Sequence, residues 1–293
     1  MKRLLLLINP VTAKKTFGPY LFDVIDCFIK GEYEVAVHVT QRKGETSEVA
    51  QNLGEKFDTI VCVGGDGTLN DTVSGIINLE KKPKIGYIPA GTTNDFASSW
   101  GIPKKPIEAA EKIIEIEPRK VDVCTFNNRP FVYVAAFGAF TEVSYSTPQS
   151  LKNALGRTAY VFEGISSLAS IHPMKMTVEY DGGSVSGEFL YGMIANTKSV
   201  GGFELKMKDE ISISDGLMEL ILIRKPENPH NNNKMISAVL KQDIKSEYIT
   251  YVHTKHVSFT SATEIPWTVD GEFGGKLISG EASIIKHAIE MYI

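Results

Sequence analysis

One stretch, Val61 to Ile76 (VCVGGDGTLNDTVSGI), constrains the fold more than any other part of the chain. The apolar run Thr59 to Val63 reads as a buried strand, and Gly64, Gly65 and Gly67 break it. Leu69, Val73, Ile76 and Ile77 then fall at i, i+4, i+7 and i+8, one face of a helix. A strand that passes through glycines straight into a helix opens a parallel βα unit. Such a turn brings free backbone N–H groups to the positive end of a helix dipole, which is the chemistry of an anion site. Neither familiar phosphate motif fits, however: GxxxxGK[ST] is absent, and Asn70 stands where GxGxxG needs its last glycine. A tight turn without a ligand is the other reading of the glycines alone. Asp66 weighs against it, because a carboxylate beside polyphosphate is repulsive unless a divalent cation stands between them. Magnesium suits that role, since one or two carboxylates and phosphate oxygens hold it while it keeps several waters.

The pattern around this stretch repeats. Leu4 to Ile8, Val35 to Val39 and Lys84 to Ile88 read as further strands, and Glu45 to Leu53 and Ile107 to Ile116 as helices. From about Val121 the character changes. Phe131 to Ala136, Met174 to Tyr180, Phe189 to Ala195, Met218 to Ile223 and His256 to Thr260 are β-rich, with turn signals such as Asp181-Gly182-Gly183 between them. One helix is expected from Ser150 to Ala169, opened by Thr147-Pro148, and His230-Asn231-Asn232-Asn233 reads as a polar loop.

A chain of 293 residues with 43% hydrophobic content buries a full core, and its length favours two domains. A formal charge of −4, with basic pairs such as Lys14-Lys15, Lys104-Lys105 and Arg224-Lys225 scattered, argues against a general grip on nucleic acid. Cys27, Cys62 and Cys124 show no CxxC spacing, which points to a reducing compartment. The run Leu4 to Ile8 is too short for a signal-peptide core, and no stretch is long enough to cross a bilayer, so a cytoplasmic location is expected.

A second carboxylate in the crevice would strengthen the cation reading. Asp95 is the candidate, in Gly91-Thr92-Thr93-Asn94-Asp95-Phe96 at the next strand end, where it also reads as a helix N-cap. Asp270-Gly271-Glu272 and Asp215-Gly216-Leu217 are acidic turns that, taken alone, are ordinary hairpin signals.

Four segments together resemble a known family. Gly64-Gly65-Asp66-Gly67-Thr68, Gly91-Thr92-Thr93-Asn94-Asp95-Phe96, Ser214-Asp215-Gly216-Leu217 and Asp270-Gly271-Glu272 stand in the order and approximate spacing of the soluble bacterial diacylglycerol kinases, relatives of the eukaryotic diacylglycerol, sphingosine and ceramide kinases. The resemblance runs from Asn9-Pro10 to the C-terminal segment. It implies an α/β plus β architecture: a Rossmann-like ATP-binding domain at residues 1–123 with the GGDGT nucleotide loop, then a β-rich, sandwich-like lipid-substrate domain at 124–284. The segment from about 285 to 293 would pack back onto the first domain, and the active site would lie in the interdomain crevice.

Carried over position by position, the resemblance sets ATP against Asn9, Thr40, Gly64, Gly65, Asp66, Gly67, Thr68, Asn70 and Thr92. Asp66, Asp95 and Asp270 would organise the catalytic Mg²⁺ and its waters, and Glu272 would be the general base for the lipid hydroxyl. A second, structural Mg²⁺ is implied at Asp215 with the backbone carbonyls of Ser212 and Leu217. Two departures stand out. Ala13 replaces the glycine of the family's first loop, leaving Thr12 or Lys14 to meet phosphate, and Asn70-Asp71 stands where Asn-Glu is common.

The implied activity is Mg²⁺-dependent transfer of the ATP γ-phosphate to a lipid hydroxyl, with diacylglycerol the commonest bacterial acceptor. Phe131 to Phe140 and Leu151 to Leu168 could hold acyl chains, although apolar residues at helical spacing are more often core. Contact with the inner membrane face would be peripheral and transient, and a homodimer is an expectation by family analogy. An NAD kinase would share Gly-Gly-Asp-Gly-Thr, but Gly91 to Ala97 matches the lipid kinases. A silent nucleotide-binding regulator would have no use for Glu272.

Overall fold

The computed structural model describes residues 1–138, 171–200, 203–207 and 210–293. The chain divides into two compact units, one of Met1–Val123 with Ile285–Ile293 and one of Cys124–Ile284. The predicted helix from Ser150 to Ala169, and with it Leu151 to Leu168, lies outside the described residues.

The first unit is α/β. Its elements run β1 (Lys2–Ile8), α1 (Pro10–Thr16), α2 (Leu21–Lys30), β2 (Tyr33–Val39), α3 (Glu45–Leu53), β3 (Thr59–Gly64), α4 (Asp66–Ile76), β4 (Lys84–Pro89), α5 (Asp95–Trp100), α6 (Pro106–Glu115) and the start of β5 (Arg119–Phe126). Strands β4, β3, β1 and β2 lie side by side in that order, all parallel. Helices cover both faces of such a sheet, so the inner strands read as unbroken apolar runs; Leu4 to Leu7 and Ile60 to Val63 are buried accordingly. One core joins Leu4, Leu6, Val61 and Val63 to Phe17, Val24, Phe28 and Ile113. Each large apolar side chain fully withdrawn from water there contributes about 1.5–3 kcal/mol.

Register brings the strand ends level. Ile8 lies opposite both Val39 and Val63, and Val63 lies opposite Ile88. The first residues beyond the sheet are therefore Asn9, Thr40, Gly65 and Ala90, all at one edge. The chain passes from β1 out to β2 and then returns across β1 to β3. That reversal makes a switch point between β1 and β3, the place where open α/β sheets bind ligands. At the far side of β4, Met291 lies beside Ile85, and the Tyr292 N–H donates to the Ile85 carbonyl at 2.9 Å.

The second unit is antiparallel and β-rich. It holds β6 (Arg129–Phe131), β7 (Val134–Gly138), β8 (Met174–Tyr180), β9 (Gly183–Ala195), the short pair β10 (Ser199–Val200) and β11 (Phe203–Glu204), β12 (Met218–Arg224), α7 (Asn232–Lys241), β13 (Ile249–Thr254), β14 (His256–Val269) and β15 (Glu272–Met291), whose last residues belong to the first unit. Strands β13, β12, β9, β7 and β14 are neighbours in that order. The first halves of β9 and β14 pair instead with β8, and a register shift between Thr260 and Ile265 lets β14 serve both layers. Long strands that change layers in this way close a sandwich. Its core packs Phe126, Phe137, Phe259 and Trp267 together, with Phe126 and Phe259 ring centroids 4.7 and 4.6 Å from that of Trp267.

Three local expectations are corrected. The segment after Asn9 is helix α1, not a loop: Pro10 takes its first position, where no N–H is needed, and Asn9 caps it by accepting from the Val11 N–H at 3.1 Å. The asparagine tract is only partly loop, because α7 begins at Asn232. The strand read as Phe131 to Ala136 is interrupted at Val132 and Tyr133, whose N–H groups bond a side chain instead of a neighbouring strand.

Candidate active site

The switch point of the first unit collects most of the predicted nucleotide residues. Asn9 donates from Nδ2 to Thr68 Oγ1 at 3.2 Å, which ties the end of β1 to the first turn of α4. Thr40 is buried, with N–H and hydroxyl both directed to the Ile8 carbonyl. Asn70 is 5% exposed and its Oδ1 has no hydrogen-bond partner. Thr92 lies exposed in the bend after Gly91.

The glycines answer to different demands. A Cβ on Gly91 would stand 2.6 Å from Gly65 Cα, so the loops after β3 and β4 touch backbone to backbone. At Gly67 a Cβ would meet nothing within 4 Å, and φ is not positive. Neither packing nor backbone geometry asks for glycine there. It keeps open the space over the first turn of an eleven-residue helix, whose leading N–H groups have no acceptor within the helix.

Asp66 joins these loops. Its Oδ2 accepts from the Asp95 N–H at 2.9 Å and its Oδ1 from the Phe96 N–H at 3.2 Å, so a carboxylate 29 residues away caps α5. Asp95 is not that cap, as the sequence allowed; it is the first residue of the helix, 3% exposed, behind Asn94 in the left-handed region at φ 53°. Burial, with the charge of Asp95 added, pushes the Asp66 carboxyl up to about 6, against the pull of the two N–H bonds. Sequence reasoning missed Tyr87 and Asn94 in this cluster. The Tyr87 hydroxyl lies 3.4 Å from both Asp66 Oδ1 and Asn94 Oδ1, and Asn94 Oδ1 accepts from the Gly91 N–H at 2.9 Å. A phenol inside an otherwise apolar buried strand was the available signal.

In the second unit, Asp270 and Gly271 both have positive φ, 49° and 80°, forming the tight turn that starts β15 at Glu272. The Asp270 carboxylate accepts three consecutive N–H groups at 2.9–3.0 Å: Val132 on Oδ2, Tyr133 and Val134 on Oδ1. Such a nest of amides is a built anion site, and here the protein's own side chain fills it. Glu272 is about half exposed and pairs with Arg129, Nη2 to Oε2 at 3.0 Å. Arg129 carried no motif and was not singled out from the sequence.

The third acidic turn has Asp215 Oδ1 accepting from the Leu217 N–H at 2.9 Å, with Gly216 at φ 83°. Nearby Glu219 is 1% exposed with Oε2 unpartnered, and burial, with a contribution from the Asp215 charge, pushes its carboxyl up to about 8. Two carboxyls with an orphaned oxygen fit a cation at this turn, and the donors read for it, the Asp215 carboxylate with the Ser212 and Leu217 carbonyls, are the hard oxygens magnesium prefers. The Asp66 and Asp95 carboxylates, close enough for the charge of Asp95 to raise the Asp66 carboxyl, offer the same kind of hard oxygen. Among the described residues no cluster of three or more His, Cys, Asp or Glu side chains forms a complete metal cage.

These features define a class before a family: an α/β unit whose glycine loop opens a helix at the ends of parallel strands, with the Asp66 and Asp95 carboxylates beside it, an arrangement suited to phosphoryl transfer. Comparison with known proteins supplies the family. A model of the diacylglycerol kinase catalytic domain matches residues 3–126, and one of the YegS C-terminal NAD kinase beta sandwich-like domain matches residues 135–291. The chain is 33% identical over 289 residues to a diacylglycerol kinase of Bacillus subtilis, covering 98% of this chain and 95% of that one. It is 35% identical over 287 residues to a diacylglycerol kinase of Staphylococcus aureus, covering 98% and 91%. A crystal structure of a diacylglycerol kinase from Bacillus anthracis has the same fold, with a TM-score of 0.78 at 20% identity over 99% of this chain and 96% of that one. The chain belongs to the bacterial diacylglycerol kinase catalytic domain family, and so to the phosphotransferases. No helix among the described residues is long and apolar enough to cross a membrane.

Proposed function

We propose that this protein transfers the γ-phosphate of ATP to the hydroxyl of a lipid, with diacylglycerol as acceptor and phosphatidic acid as product. The observation that carries the reading is the convergence of Asn9, Gly65, Gly67, Thr68 and the Asp66 and Asp95 carboxylates at the switch point of the first unit.

The backbone N–H groups at the start of α4 bind the phosphates, and Gly67 lets them approach. Asp66 and Asp95 would hold Mg²⁺, which when bound would supply positive charge against the phosphates. Thr40, Asn70 and Thr92 border the same edge and contact the nucleotide. Glu272 accepts the proton of the lipid hydroxyl as it attacks phosphorus. Asp270 supports Glu272 from within the turn, because its carboxylate fixes the backbone from which that residue projects. At the Asp215 turn, Mg²⁺ would offset the buried charge shared with Glu219 and hold the loop in place. The lipid is met at the cytoplasmic face of the membrane, by peripheral contact.

Transfer of label from γ-labelled ATP to dispersed diacylglycerol, monoacylglycerol, ceramide, sphingosine and polyprenol, with NAD alongside, tests the proposal with and without Mg²⁺. Diacylglycerol should take the label only when Mg²⁺ is present. Label in NAD alone, or in no acceptor, would refute it.

A further inference from the structure

The geometry points to Arg129 as a positioning residue for Glu272, holding that carboxylate in one orientation, with its charge balanced, for proton acceptance. The inference rests on the reading of Glu272 as the base. It comes from the way two hairpins of the second unit are fixed to each other.

The hairpin joining β5 to β6 turns through Asn127 and Asn128, both in the left-handed region at φ 48° and 64°. The hairpin joining β14 to β15 turns through Asp270 and Gly271 in the same way. Such two-residue loops have little freedom, and the residue after each is placed by its backbone. Those residues are Arg129 and Glu272. Both turns are also tied down. The Asn127 N–H donates to the Glu281 carbonyl and the Glu281 N–H to Asn127 Oδ1, each at 2.9 Å, which anchors the first turn to β15. The Asp270 carboxylate holds the N–H groups of Val132, Tyr133 and Val134, just beyond β6, and the Asp270 N–H donates to the Val134 carbonyl at 2.8 Å. The two side chains then meet at 3.0 Å from backbones that cannot drift apart.

This arrangement is more than an ion pair needs for stability. With side chains 43% and 48% exposed, a salt bridge of this kind contributes about 0–1 kcal/mol. Its consequence is orientation. A half-exposed glutamate has three rotatable bonds, and a base must lie within hydrogen-bond reach of the proton it takes. Arginine suits the task because it stays charged across the working range and cannot become a competing acid.

The test uses the full chain and transfer of label from γ-labelled ATP to dioleoylglycerol in anionic vesicles. Arg129→Ala should lower kcat about tenfold, the scale on which misorientation of a reacting group acts, and leave the KM for ATP within about twofold. Arg129→Lys should recover most of the loss, and ethylguanidinium added to Arg129→Ala should restore part of it, which a merely structural role would not allow. In a Glu272→Gln background, Arg129→Ala should cause no further loss. An unchanged kcat in Arg129→Ala, an equal loss in the Glu272→Gln background, or failure of both lysine and ethylguanidinium to rescue would overturn the inference. Glu272→Gln with transfer near that of the wild type, or no transfer by the wild type, would instead defeat the reading on which it rests.

Discussion

Asp66→Asn separates the two things Asp66 does, capping α5 and carrying charge at the lip of the cradle. Burial lifts its carboxyl from 3.8 to about 6. A carboxyl raised in the folded state binds its proton more tightly there than in the unfolded chain. Its contribution to stability is therefore present below pH 4 and lost as pH rises through about 6. Linkage at about 1.36 kcal/mol per pH unit makes that loss about 3 kcal/mol, reduced to about 2 because Asp66 keeps some solvent contact. Asparagine has no such proton, so its stability does not fall over this window. It also offers one acceptor oxygen where the carboxylate offers two, leaving one N–H of α5 unpaired at a cost of about 1–2 kcal/mol. The variant should be the less stable protein near pH 4.5 and should equal or exceed the wild type by pH 8. Thermal unfolding in chelator-containing buffer reads this directly. At about 2–4 °C per kcal/mol, the variant's Tm relative to the wild type should climb by roughly 4–8 °C across the range. A difference that stays flat with pH, or falls, would refute the claim that Asp66 is a carboxylate held under burial strain.

Gly67→Ala should leave the melting temperature unchanged or slightly raised, since a helical glycine costs about 0.5–1 kcal/mol relative to alanine, yet weaken ATP binding about tenfold or more by calorimetry. Asp270→Ala strips the acceptor from three N–H groups and should destabilise the protein by about 2–4 kcal/mol in denaturant unfolding. Mg²⁺ without nucleotide should raise the melting temperature of the wild type. Asp215→Ala should abolish most of that rise, and an unaltered rise would place the stabilising cation elsewhere.

The parallel strands of the first unit were legible because burial on both faces leaves an unbroken apolar run, as in Leu4 to Leu7, and because glycines mark where β3 meets α4. Helices α1 and α2 were not, since Gly18 and Pro19 lie between them and the preceding tract reads as polar loop. Three asparagines, poor helix formers, hid the start of α7. The long strand β15 was obscured by Gly274, Gly275 and Gly280, which suggest turns, although Gly280 is required by the Phe259 ring 2.7 Å from where its Cβ would stand. At the site, the sequence marks acidic residues but not their partners. Nothing local in Gly65-Asp66-Gly67 says that its carboxylate will cap a helix starting at residue 95, nor does Asp270 announce the amides of Val132 to Val134. Those bonds are made by tertiary structure, and they make the carboxylates that the resemblance assigns to the metal network parts of the framework as well.

The return of residues 285–293 to β4 has a consequence for how the protein is made. During synthesis the first 123 residues emerge with four parallel strands in hand, but the flank of β4 that Met291 and Tyr292 will cover stays bare while the whole second unit is translated. Tyr292 is 5% exposed in the finished core, so this is a gap in the hydrophobic interior and not a loose end. The α/β unit is thus the first to begin folding and the last to finish. A chain that stalls short of residue 291 would carry an open sheet edge on β4, a ready target for chaperones and proteases.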